Sequence, residues 1–381
     1  MNIKPKIMFV FGTRPEAIKM APVIQRFKSN EKLEVGVCVT AQHREMLDQA
    51  LRLFDIKPDF DLNLMRPGQD LTDLTSNILT HLRGIFSAWK PDWIFVHGDT
   101  TTAASASLAA YYMRIPVAHV EAGLRTNNIY SPWPEELNRK IIATIAEMHF
   151  SPTNSTRENL LREGVQEEKI FVTGNTVIDS LHQSLAKITS EAPLKRELEE
   201  KFKYLDSNKK IILVTGHRRE NFGKGFEDIC SALKSLAFEK EVQIVYPVHL
   251  NPNVSTIVKE KLLGIDNIHL IEPLDYLPFI FLMSKSYIIL TDSGGIQEEA
   301  PALGKPVLVM RDTTERPEAV KAGTAILVGT DPKKIVAKTI RILNDPSYYG
   351  EISSKINPYG NGDSANKIYS SFISGPGKLA K

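Results

Sequence analysis

Short apolar runs alternate with helical patterns along the whole chain of 381 residues, and this alternation constrains the fold most strongly. The runs are rich in Val and Ile and apolar on both faces, which predicts parallel strands covered by helices. Strands are predicted at residues 7–11, 35–40, 93–97, 117–120, 170–172, 211–215, 242–246, 268–271, 287–291 and 307–310, and helices at 15–27, 71–89, 101–112 and 135–148. The predicted fold class is therefore α/β, with doubly wound sheets.

The alternation occurs twice, and a polar stretch rich in Lys and Glu at residues 187–210 precedes the first strand of the second half. We predict an N-terminal domain over 1–174, a C-terminal domain over 175–362, and a last helix at 363–376 that packs back on the N-terminal domain. Ligands of doubly wound sheets bind at the carboxyl ends of strands. Motifs at those ends are therefore expected to converge in a cleft between the two domains.

Composition excludes several classes of protein. Lys and Arg number 47 against 45 Asp and Glu, so a nucleic-acid partner is not expected. No apolar run reaches about 18 residues, and the run near the N-terminus is too short for a signal peptide, so no membrane partner is expected either. Cys38 and Cys230 lie in apolar surroundings and are predicted to be buried free thiols. Together these features predict a cytoplasmic protein.

Two basic residues follow the first predicted strand, in the motif FGTRPEAIK. Thr13 and Glu16 fit a capping box, which explains them by local structure alone. The capping box leaves Arg14 and Lys19 unexplained, and an arginine at a helix N-terminus opposes the helix dipole. An anionic ligand is one explanation of these residues, and a purely structural loop is the other.

Carboxylates follow three further elements of the first half. Asp99 in HGDTTT is either a ligand-facing group or the N-cap of the next helix. Glu121 in HVEAGLRT stands where a strand ends and no helix begins, so local structure gives little reason for it. Glu135 in SPWPEELNR opens a helix, where a carboxylate also complements the dipole.

Strand ends of the second half carry basic and small residues. His217 lies beside two arginines in TGHRREN, which suggests an anionic ligand. In TDSGGIQEE, Ser293, Gly294 and Gly295 lead from a strand into a helix, and their backbone N–H groups suit a phosphate. Glu299 follows about one and a half helical turns later, where a carboxylate suits the two hydroxyls of a ribose.

Arg311 and Arg316 add positive charge after a later strand, in MRDTTERPEAV. The chain contains no G-x-G-x-x-G fingerprint after its first strand, no P-loop, no G-x-S-x-G elbow and no Cys and His pairs with zinc spacing. We therefore expect no nicotinamide, no metal and no other cofactor. The residues together predict a site for a nucleotide diphosphate whose sugar faces acid–base groups.

Blocks spread along nearly the whole chain resemble, in order, the non-hydrolysing UDP-N-acetylglucosamine 2-epimerases. They are FGTRPEAIKMAPV, AQHREMLDQ, HGDTTT, HVEAGLRT, YSPWPEELNR, TGNTVID, TGHRREN, YPVHLNPNV, LTDSGGIQEEAPALGKPVLVMRDTTERPEAV and NPYGNGD. The resemblance implies two Rossmann-like domains in a glycosyltransferase-B-like fold and a homodimer. It also implies interconversion of UDP-N-acetylglucosamine and UDP-N-acetylmannosamine, a precursor for surface polysaccharides.

Carried over residue by residue, the resemblance implies three sets of positions. The catalytic set is Asp99, Glu121, Glu135 and His217, and all of these except Glu135 also contact the substrate. The other nucleotide-sugar contacts are Arg14, Lys19, Leu274, Phe279, Ser293, Gly294, Gly295, Glu299 and Arg316. An adjoining site for a second, activating substrate molecule is assigned to Gln42, His43, Arg66, Arg219 and His249. Related enzymes often carry Gln at the position of Leu274, so that contact becomes apolar or backbone-only.

The implied reaction needs no redox cofactor. Loss of UDP from C1 and of the C2 proton gives 2-acetamidoglucal, and re-addition of UDP and of a proton to the other face gives the epimer. Asp99 and Glu121 are the expected acid–base pair. Three alternatives remain: a hydrolysing epimerase that releases UDP and N-acetylmannosamine, a glycosyltransferase of the same fold, and a non-enzymatic nucleotide-sugar sensor.

Overall fold

A computed structural model describes residues 4–41, 44–66 and 68–375. The chain divides into two compact units, of which the first combines Met1–Ser180 with Tyr359–Lys381 and the second is Leu181–Pro358. Each unit is a parallel sheet accompanied by helices. The predicted α/β class, with two Rossmann-like units, is confirmed.

The first unit is built around one parallel sheet. Its strands are β1 (Lys6–Phe11), β2 (Glu34–Val39), β3 (Phe60–Asp61), β4 (Trp93–His97), β5 (Val117–Val120), β6 (Met148–Ser151) and β7 (Ile170–Val172). Its helices are α1 (Arg14–Lys28), α2 (Arg44–Leu53), α3 (Leu71–Trp89), α4 (Thr101–Tyr112), α5 (Glu135–Ile145), α6 (Asn154–Arg162), the start of α7 (Thr176–Ser190), and the last helix of the chain, α16 (Ser364–Ser374). The strand order is β3-β2-β1-β4-β5-β6-β7.

The second unit repeats this plan. Its strands are β8 (Lys210–Thr215), β9 (Val242–Pro247), β10 (Ile268–Ile271), β11 (Ile288–Thr291), β12 (Val307–Val309) and β13 (Ala325–Leu327). After the end of α7, its helices are α8 (Ala192–Lys201), α9 (Lys224–Leu236), α10 (Pro252–Leu262), α11 (Tyr276–Lys285), α12 (Gly294–Ala302), α13 (Pro317–Ala322), α14 (Pro332–Asn344) and α15 (Pro346–Ser353). The strand order is β10-β9-β8-β11-β12-β13.

In each sheet, the order of the strands reverses beside the first strand of the unit. This point lies between β1 and β4 in the first unit and between β8 and β11 in the second. Ligands of doubly wound sheets bind outside the carboxyl ends of the strands at such a point. The predicted motifs follow β1, β4 and β5 in one unit and β8 and β11 in the other, so the topology brings each group to one sheet edge.

An aromatic cluster fixes the last helix in the first unit. Phe9, Phe27, Phe95 and Phe372 are fully buried. The ring of Phe372 in α16 lies 5.2 Å from that of Phe95 and 5.4 Å from that of Phe27, between ring centroids. Buried aromatic pairs at this separation contribute strongly to core packing. The predicted return of the last helix to the N-terminal unit is thereby confirmed.

The structure differs from the sequence prediction at β6. The pattern predicts a helix over 135–148, whereas α5 ends at Ile145 and Met148–Ser151 forms a strand paired with β5. Ala146 turns the chain to an extended conformation with ψ 139°, and the polar His149 interrupts the apolar run that would identify a strand. The strands β3 and β13, of two and three residues, are also absent from the predicted set.

Both cysteines, Cys38 and Cys230, are buried free thiols, as predicted. Burial raises the pKa of each thiol to about 12, so neither forms a thiolate at neutral pH. Within residues 4–41, 44–66 and 68–375, no helix is long and apolar enough to cross a membrane.

Candidate active site

A buried carboxylate ties the loop after β1 to the loop after β4. Oε2 of Glu16 accepts hydrogen bonds from the Gly12 N–H at 3.1 Å and from the N–H and hydroxyl of Thr13, both at 2.8 Å. Its Oε1 accepts from the Thr100 hydroxyl at 2.7 Å, and the predicted capping box is confirmed. Burial raises the pKa of Glu16 to about 6, against the opposing effect of these donors. Arg14, the first residue of α1, is half-buried.

Glu121 follows β5 with a backbone φ of 64°, in the left-handed region that few residues adopt. Its Oε2 lies 2.5 Å from Nζ of Lys19 and accepts a hydrogen bond from the Asn175 amide at 2.7 Å. Nε2 of His97 lies 3.8 Å from the same oxygen, but burial lowers the pKa of His97 to about 4, so this ring is neutral at pH 7. The structure thus joins two predicted residues, Lys19 and Glu121, in one ion pair.

The position of Glu121 depends on the backbone that follows it. Gly123 has a φ of 91°, and a Cβ placed on it would lie 2.2 Å from the Thr156 carbonyl oxygen. The Gly123 carbonyl accepts a hydrogen bond from the Asn159 side chain at 2.9 Å. Only glycine lets the chain pass this close to α6, so the glycine of HVEAG sets where the carboxylate emerges.

Asp99 follows β4, the strand next to β5, and is held by Arg139 of α5. Arg139 donates to Oδ2 of Asp99 from Nε at 2.9 Å and from Nη2 at 2.5 Å, and its Nη1 donates to Glu136 at 3.0 Å. The N-cap of α4 is Thr100, whose hydroxyl accepts from the Ala103 N–H at 3.0 Å, so the alternative of Asp99 as a helix cap is wrong. Helix capping therefore does not explain the Asp99 carboxylate.

Two adjacent glutamates at the start of α5 have different surroundings. Glu136 is fully buried and accepts from the N–H groups of Thr126 at 3.1 Å and Asn127 at 3.0 Å, so it anchors a loop. Glu135 is half-buried, and its Oε2 is shielded from solvent with no hydrogen-bond partner in the part of the chain that the structure describes. Of the pair, Glu135 is the one whose carboxylate has an unused acceptor.

In the second unit, Asp292 at the end of β11 organises the loop after β8. Asp292 is fully buried, and its Oδ2 accepts from the backbone N–H groups of His217 and Arg218, both at 2.8 Å. Its Oδ1 lies 3.6 Å from Nδ1 of His217. Burial lowers the pKa of His217, and the Asp292 carboxylate opposes that change. Asp292 is not among the residues predicted from the sequence, where its one signal is its place at a strand end within TDSGG.

Helix α12 begins with backbone donors that no side chain caps. Ser293 is its N-cap and makes no capping hydrogen bond, while its own N–H donates to the Thr291 hydroxyl at 2.9 Å. A Cβ placed on Gly294 would lie 3.5 Å from a carboxylate oxygen of Glu315 and would meet nothing closer. The predicted small residues thus open a helix whose first N–H groups have no side-chain cap, the geometry that binds phosphate in many proteins.

Arginines around α12 form ion pairs with glutamates. The pairs are Arg218–Glu315 at 3.2 Å, Arg311–Glu220 at 2.5 Å and Arg316–Glu298. Nε of Arg218 and Nη1 of Arg311 are buried and have no hydrogen-bond partner within the described residues. The positive charges predicted from the sequence are therefore partly balanced inside the unit. Nη1 of Arg311 also lies 3.5 Å from Glu315, whereas Nε of Arg218 keeps a donor for a further acceptor.

Three other predicted contacts lie at or between β10 and α12. Leu274 follows β10, Phe279 lies in α11, and both are half-buried. Glu299 in α12 accepts a hydrogen bond from the Tyr276 hydroxyl at 3.0 Å. Tyr276 therefore links α11 to α12, although the sequence patterns do not single it out.

Comparison with known proteins shows to which family the chain belongs. A profile of the UDP-N-acetylglucosamine 2-epimerase family matches residues 25–373. The chain is 60% identical over 364 residues to a UDP-N-acetylglucosamine 2-epimerase of Yersinia pestis, a match that covers 95% of this chain and 97% of that protein. The chain belongs to the UDP-N-acetylglucosamine 2-epimerase family. Another family member, from Escherichia coli K12, is 57% identical over the same length, with the same coverage of both chains.

Solved structures of this epimerase family have the same fold. A UDP-GlcNAc 2-epimerase from Neisseria meningitidis, bound to UDP-GlcNAc, shares 51% identity with a TM-score of 0.89, covering 97% of this chain and 99% of that chain. One from Methanocaldococcus jannaschii, in complex with UDP-GlcNAc and UDP, shares 32% identity with a TM-score of 0.79, covering 97% and 100%. The chain is an isomerase of this family with a glycosyltransferase-B-like fold, and the resemblance stated from its motifs is confirmed.

The resemblance to the epimerase family also implies an activating site, and the structure describes only some of the residues predicted for it. Two of the predicted residues, Gln42 and His43, lie outside the described part of the chain. Arg66 is exposed in the segment after β3, and Arg219 is exposed in the loop that carries His217. The ring of His249 stacks on that of His217, with centroids 5.5 Å apart. The structure therefore brings His249 against a predicted catalytic residue.

Proposed function

We propose that the chain interconverts UDP-N-acetylglucosamine and UDP-N-acetylmannosamine by inverting C2 of the sugar. The observation that carries this proposal is the placement of two carboxylates at the ends of the adjacent strands β4 and β5. Asp99 is held there by Arg139, and Glu121 by Lys19. The substrate is supported by the Neisseria relative, which was solved with UDP-GlcNAc.

The chemistry explains why two such groups are needed. The C2 proton is not next to a carbonyl group, so a base alone removes it very slowly. UDP therefore leaves C1 before or together with the proton, and the C1=C2 double bond of 2-acetamidoglucal forms. Addition of a proton to the opposite face of C2, and of a UDP oxygen to C1, gives the epimer. The cycle is redox-neutral and returns all of its UDP to the sugar.

Inversion of one carbon requires an acid–base group on each of its faces, and carboxylates suit this role. Asp99 and Glu121 are proposed as this pair, and Glu135 is proposed to share or tune a proton. Glu121 is fixed through Lys19 and Asn175, and Asp99 through Arg139. Because these contacts hold both carboxylates in place, the carboxylates need little reorganisation during the reaction.

The second unit is proposed to hold the nucleotide. The uncapped N-terminus of α12, at Ser293, Gly294 and Gly295, is suited to the diphosphate, where negative charge develops as UDP leaves. His217 is proposed to donate to the same group, and Glu299 to bind the ribose hydroxyls. The remaining proposed contacts of the nucleotide sugar are Arg14, Lys19, Leu274, Phe279 and Arg316.

We further propose that the enzyme acts as a cytoplasmic homodimer whose product supplies N-acetylmannosamine units for surface polysaccharides. Binding of a second substrate molecule through Arg66, Arg219 and His249, together with Gln42 and His43, is proposed to activate it. Membership of the epimerase family supports these proposals.

Glu121→Gln tests the catalytic assignment, because it keeps the shape of the side chain and removes its charge. With UDP-N-acetylglucosamine as sole substrate, we expect turnover to fall at least about a hundredfold, the usual contribution of a positioned acid–base group. Turnover is measured by chromatographic separation of the two UDP-sugars and free UDP.

Glu147→Gln is the matched control, because Glu147 also pairs with a lysine of the first unit, Lys169, at 2.7 Å. Half-exposed pairs of this kind contribute little, so we expect turnover within about twofold of the unmodified chain. Near-normal turnover of Glu121→Gln contradicts the assignment. Release of free UDP in step with sugar product identifies a hydrolysing enzyme instead.

A further inference from the structure

A carboxylate that sequence patterns did not single out stands beside the imidazole of His217. We propose that Asp292 is a positioning residue, which accepts a hydrogen bond from Nδ1–H of His217 through its Oδ1 and thereby fixes the tautomer of the ring. The part played by Nε2, which then faces the leaving diphosphate, rests on the proposed function. The pairing of the Asp292 carboxylate with the His217 ring is independent of the proposed function.

The two oxygens of the Asp292 carboxylate have different surroundings. Oδ2 accepts from the backbone N–H groups of His217 and Arg218 at 2.8 Å each, and from the Asn221 amide at 3.4 Å. Oδ1 is buried and makes no hydrogen bond with any residue that the structure describes. A buried acceptor without a donor destabilises a fold, so such an oxygen calls for a specific explanation.

Nδ1 of His217 supplies that explanation, because it lies 3.6 Å from Oδ1. This separation is longer than a hydrogen bond, so the proposed contact requires a small rotation of the imidazole toward Oδ1. Catalytic hydrogen bonds are often long before substrate binds and tighten afterwards. The backbone bond from the His217 N–H to Oδ2 keeps ring and carboxylate together, and the stacked ring of His249, 5.5 Å away, limits the rotation.

Charged and titratable groups face the ring from several elements. Arg218 lies on the same loop as His217, His249 follows β9, and Asp292 follows β11. Burial, Arg218 and His249 lower the pKa of His217, and Asp292 raises it. Arg218 itself is paired with Glu315, and the Tyr246 hydroxyl of β9 donates to the Gly216 carbonyl at 3.4 Å. Asp292 is therefore the neighbour that favours a protonated ring.

A protonated ring is what a departing diphosphate requires. When Nδ1–H donates its hydrogen bond to Asp292, the ring takes its second proton at Nε2. The resulting Nε2–H then faces the diphosphate oxygen on which negative charge develops. In other imidazole–carboxylate pairs, the carboxylate orients the ring and stabilises its charged form. Its contribution is the orientation and protonation of His217.

The test reads the tautomer and pKa of His217 in the full chain labelled with ¹⁵N-histidine. Ring nitrogen shifts are followed by NMR across pH, and the His217 signals are assigned by their loss in His217→Gln. We expect the neutral ring to carry its proton on Nδ1. In Asp292→Asn, the amide turns a donor toward the ring, so we expect the proton on Nε2 and a pKa lower by about one unit or more. Asp292→Asn is also expected to lower kcat with little change in KM.

Two outcomes overturn the proposal. One is the finding that neutral His217 carries its proton on Nε2 in the unmodified chain. This measurement does not depend on whether any variant folds. The other is an Asp292→Asn chain with unchanged tautomer and pKa. In turnover assays, adding Asp292→Asn to His217→Gln is expected to cause no further loss, and an additive loss contradicts a shared role.

Asp179→Asn is the matched control, because Asp179 is also a buried carboxylate that accepts from two backbone N–H groups. Its donors are Ser364 at 3.2 Å and Ala365 at 2.9 Å. We expect a similar loss of thermal stability without any change at His217. Because the NMR readout needs no substrate, an inactive but correctly paired chain refutes the proposed function alone.

Discussion

At the scale of single residues, side-chain contacts within the first unit decide where the proposed acid–base groups stand. Arg139 makes a two-donor contact with Oδ2 of Asp99, and the same guanidinium binds Glu136, which anchors the segment at Thr126 and Asn127. A planar guanidinium fixes both the distance and the direction of its partner. Arg139 therefore sets the position of the Asp99 carboxylate, and the proposed proton transfer by Asp99 depends on that position.

Arg139→Lys keeps the charge and removes the planar fork. We expect kcat to fall about tenfold or more while KM for UDP-N-acetylglucosamine changes little, because a misplaced catalytic group affects the chemical step. Steady-state kinetics measure this split. Arg125→Lys is the control, since Arg125 makes a similar fork to Glu163 at 2.8 and 2.6 Å. A larger loss of kcat in Arg125→Lys would contradict a special role for Arg139.

Sequence reasoning finds residues that lack a local explanation and misses those that act through distant partners. Glu121 follows a strand end and Lys19 lies in the second turn of α1, and no local structure needs either of them, so they could be predicted. Arg139 lies 40 residues from Asp99 and reads as one polar residue of an amphipathic helix. Asp292 lies 75 residues from His217, and nothing local marks it as the acceptor of that loop.

At the scale of elements, the N-terminus of α12 is the feature on which the proposed nucleotide binding depends. Gly294→Ala adds a methyl group that meets nothing closer than 3.5 Å, so we expect the fold to keep its stability or gain slightly. The same methyl group covers the approach to backbone N–H donors, so we expect the affinity for UDP to fall about tenfold or more. Isothermal titration with UDP and thermal unfolding measure the two effects.

Gly350→Ala provides the comparison, because Gly350 lies in α15 of the same unit and a Cβ there meets nothing within 4 Å. We expect UDP affinity to stay unchanged and stability to rise slightly. Equal UDP affinity in both variants would show that α12 does not bind the phosphates.

Strands could be predicted from the sequence where several apolar residues follow one another without interruption. β1, β4 and β8 each present at least four consecutive buried residues, and the sequence shows them as plain apolar runs. β6 is equally buried but reads MHFS, so its polar positions hide it behind the end of α5. His149 is accepted there because it stays neutral, since burial lowers its pKa to about 4.

At the scale of the whole molecule, the histidines whose pKa is lowered most lie in the first unit, although burial also lowers the pKa of His217 and His269 in the second. Burial lowers the pKa of His97 to about 4, of His119 to about 3 and of His149 to about 4, against about 6.5 in an unfolded chain. Bases with depressed folded pKa values stabilise the fold above pH 6.5, and this is lost as pH falls toward 4. The raised pKa of Glu16 acts in the opposite direction between pH 6 and 4.5, but it is one group against three.

The three tryptophans, Trp89, Trp93 and Trp133, all lie in the first unit, so their fluorescence reports on that unit. In urea titrations, we expect the midpoint followed by fluorescence to move to a lower urea concentration when the pH is lowered from 7 to 5. The free energy of unfolding is expected to fall by up to about 2 kcal/mol for each buried histidine. Circular dichroism, which reports on both units, is expected to shift less. Equal shifts of the two signals would contradict the assignment of acid sensitivity to the first unit.

Exchange of the C2 hydrogen tests the proposed reaction most directly. The chain is incubated with UDP-N-acetylglucosamine in deuterated water, and proton NMR follows C1 and C2 of both UDP-sugars. We expect UDP-N-acetylmannosamine to form with deuterium at C2, the substrate pool to acquire deuterium there as well, and no free UDP to accumulate. Formation of the epimer with its original C2 proton retained would contradict elimination through 2-acetamidoglucal.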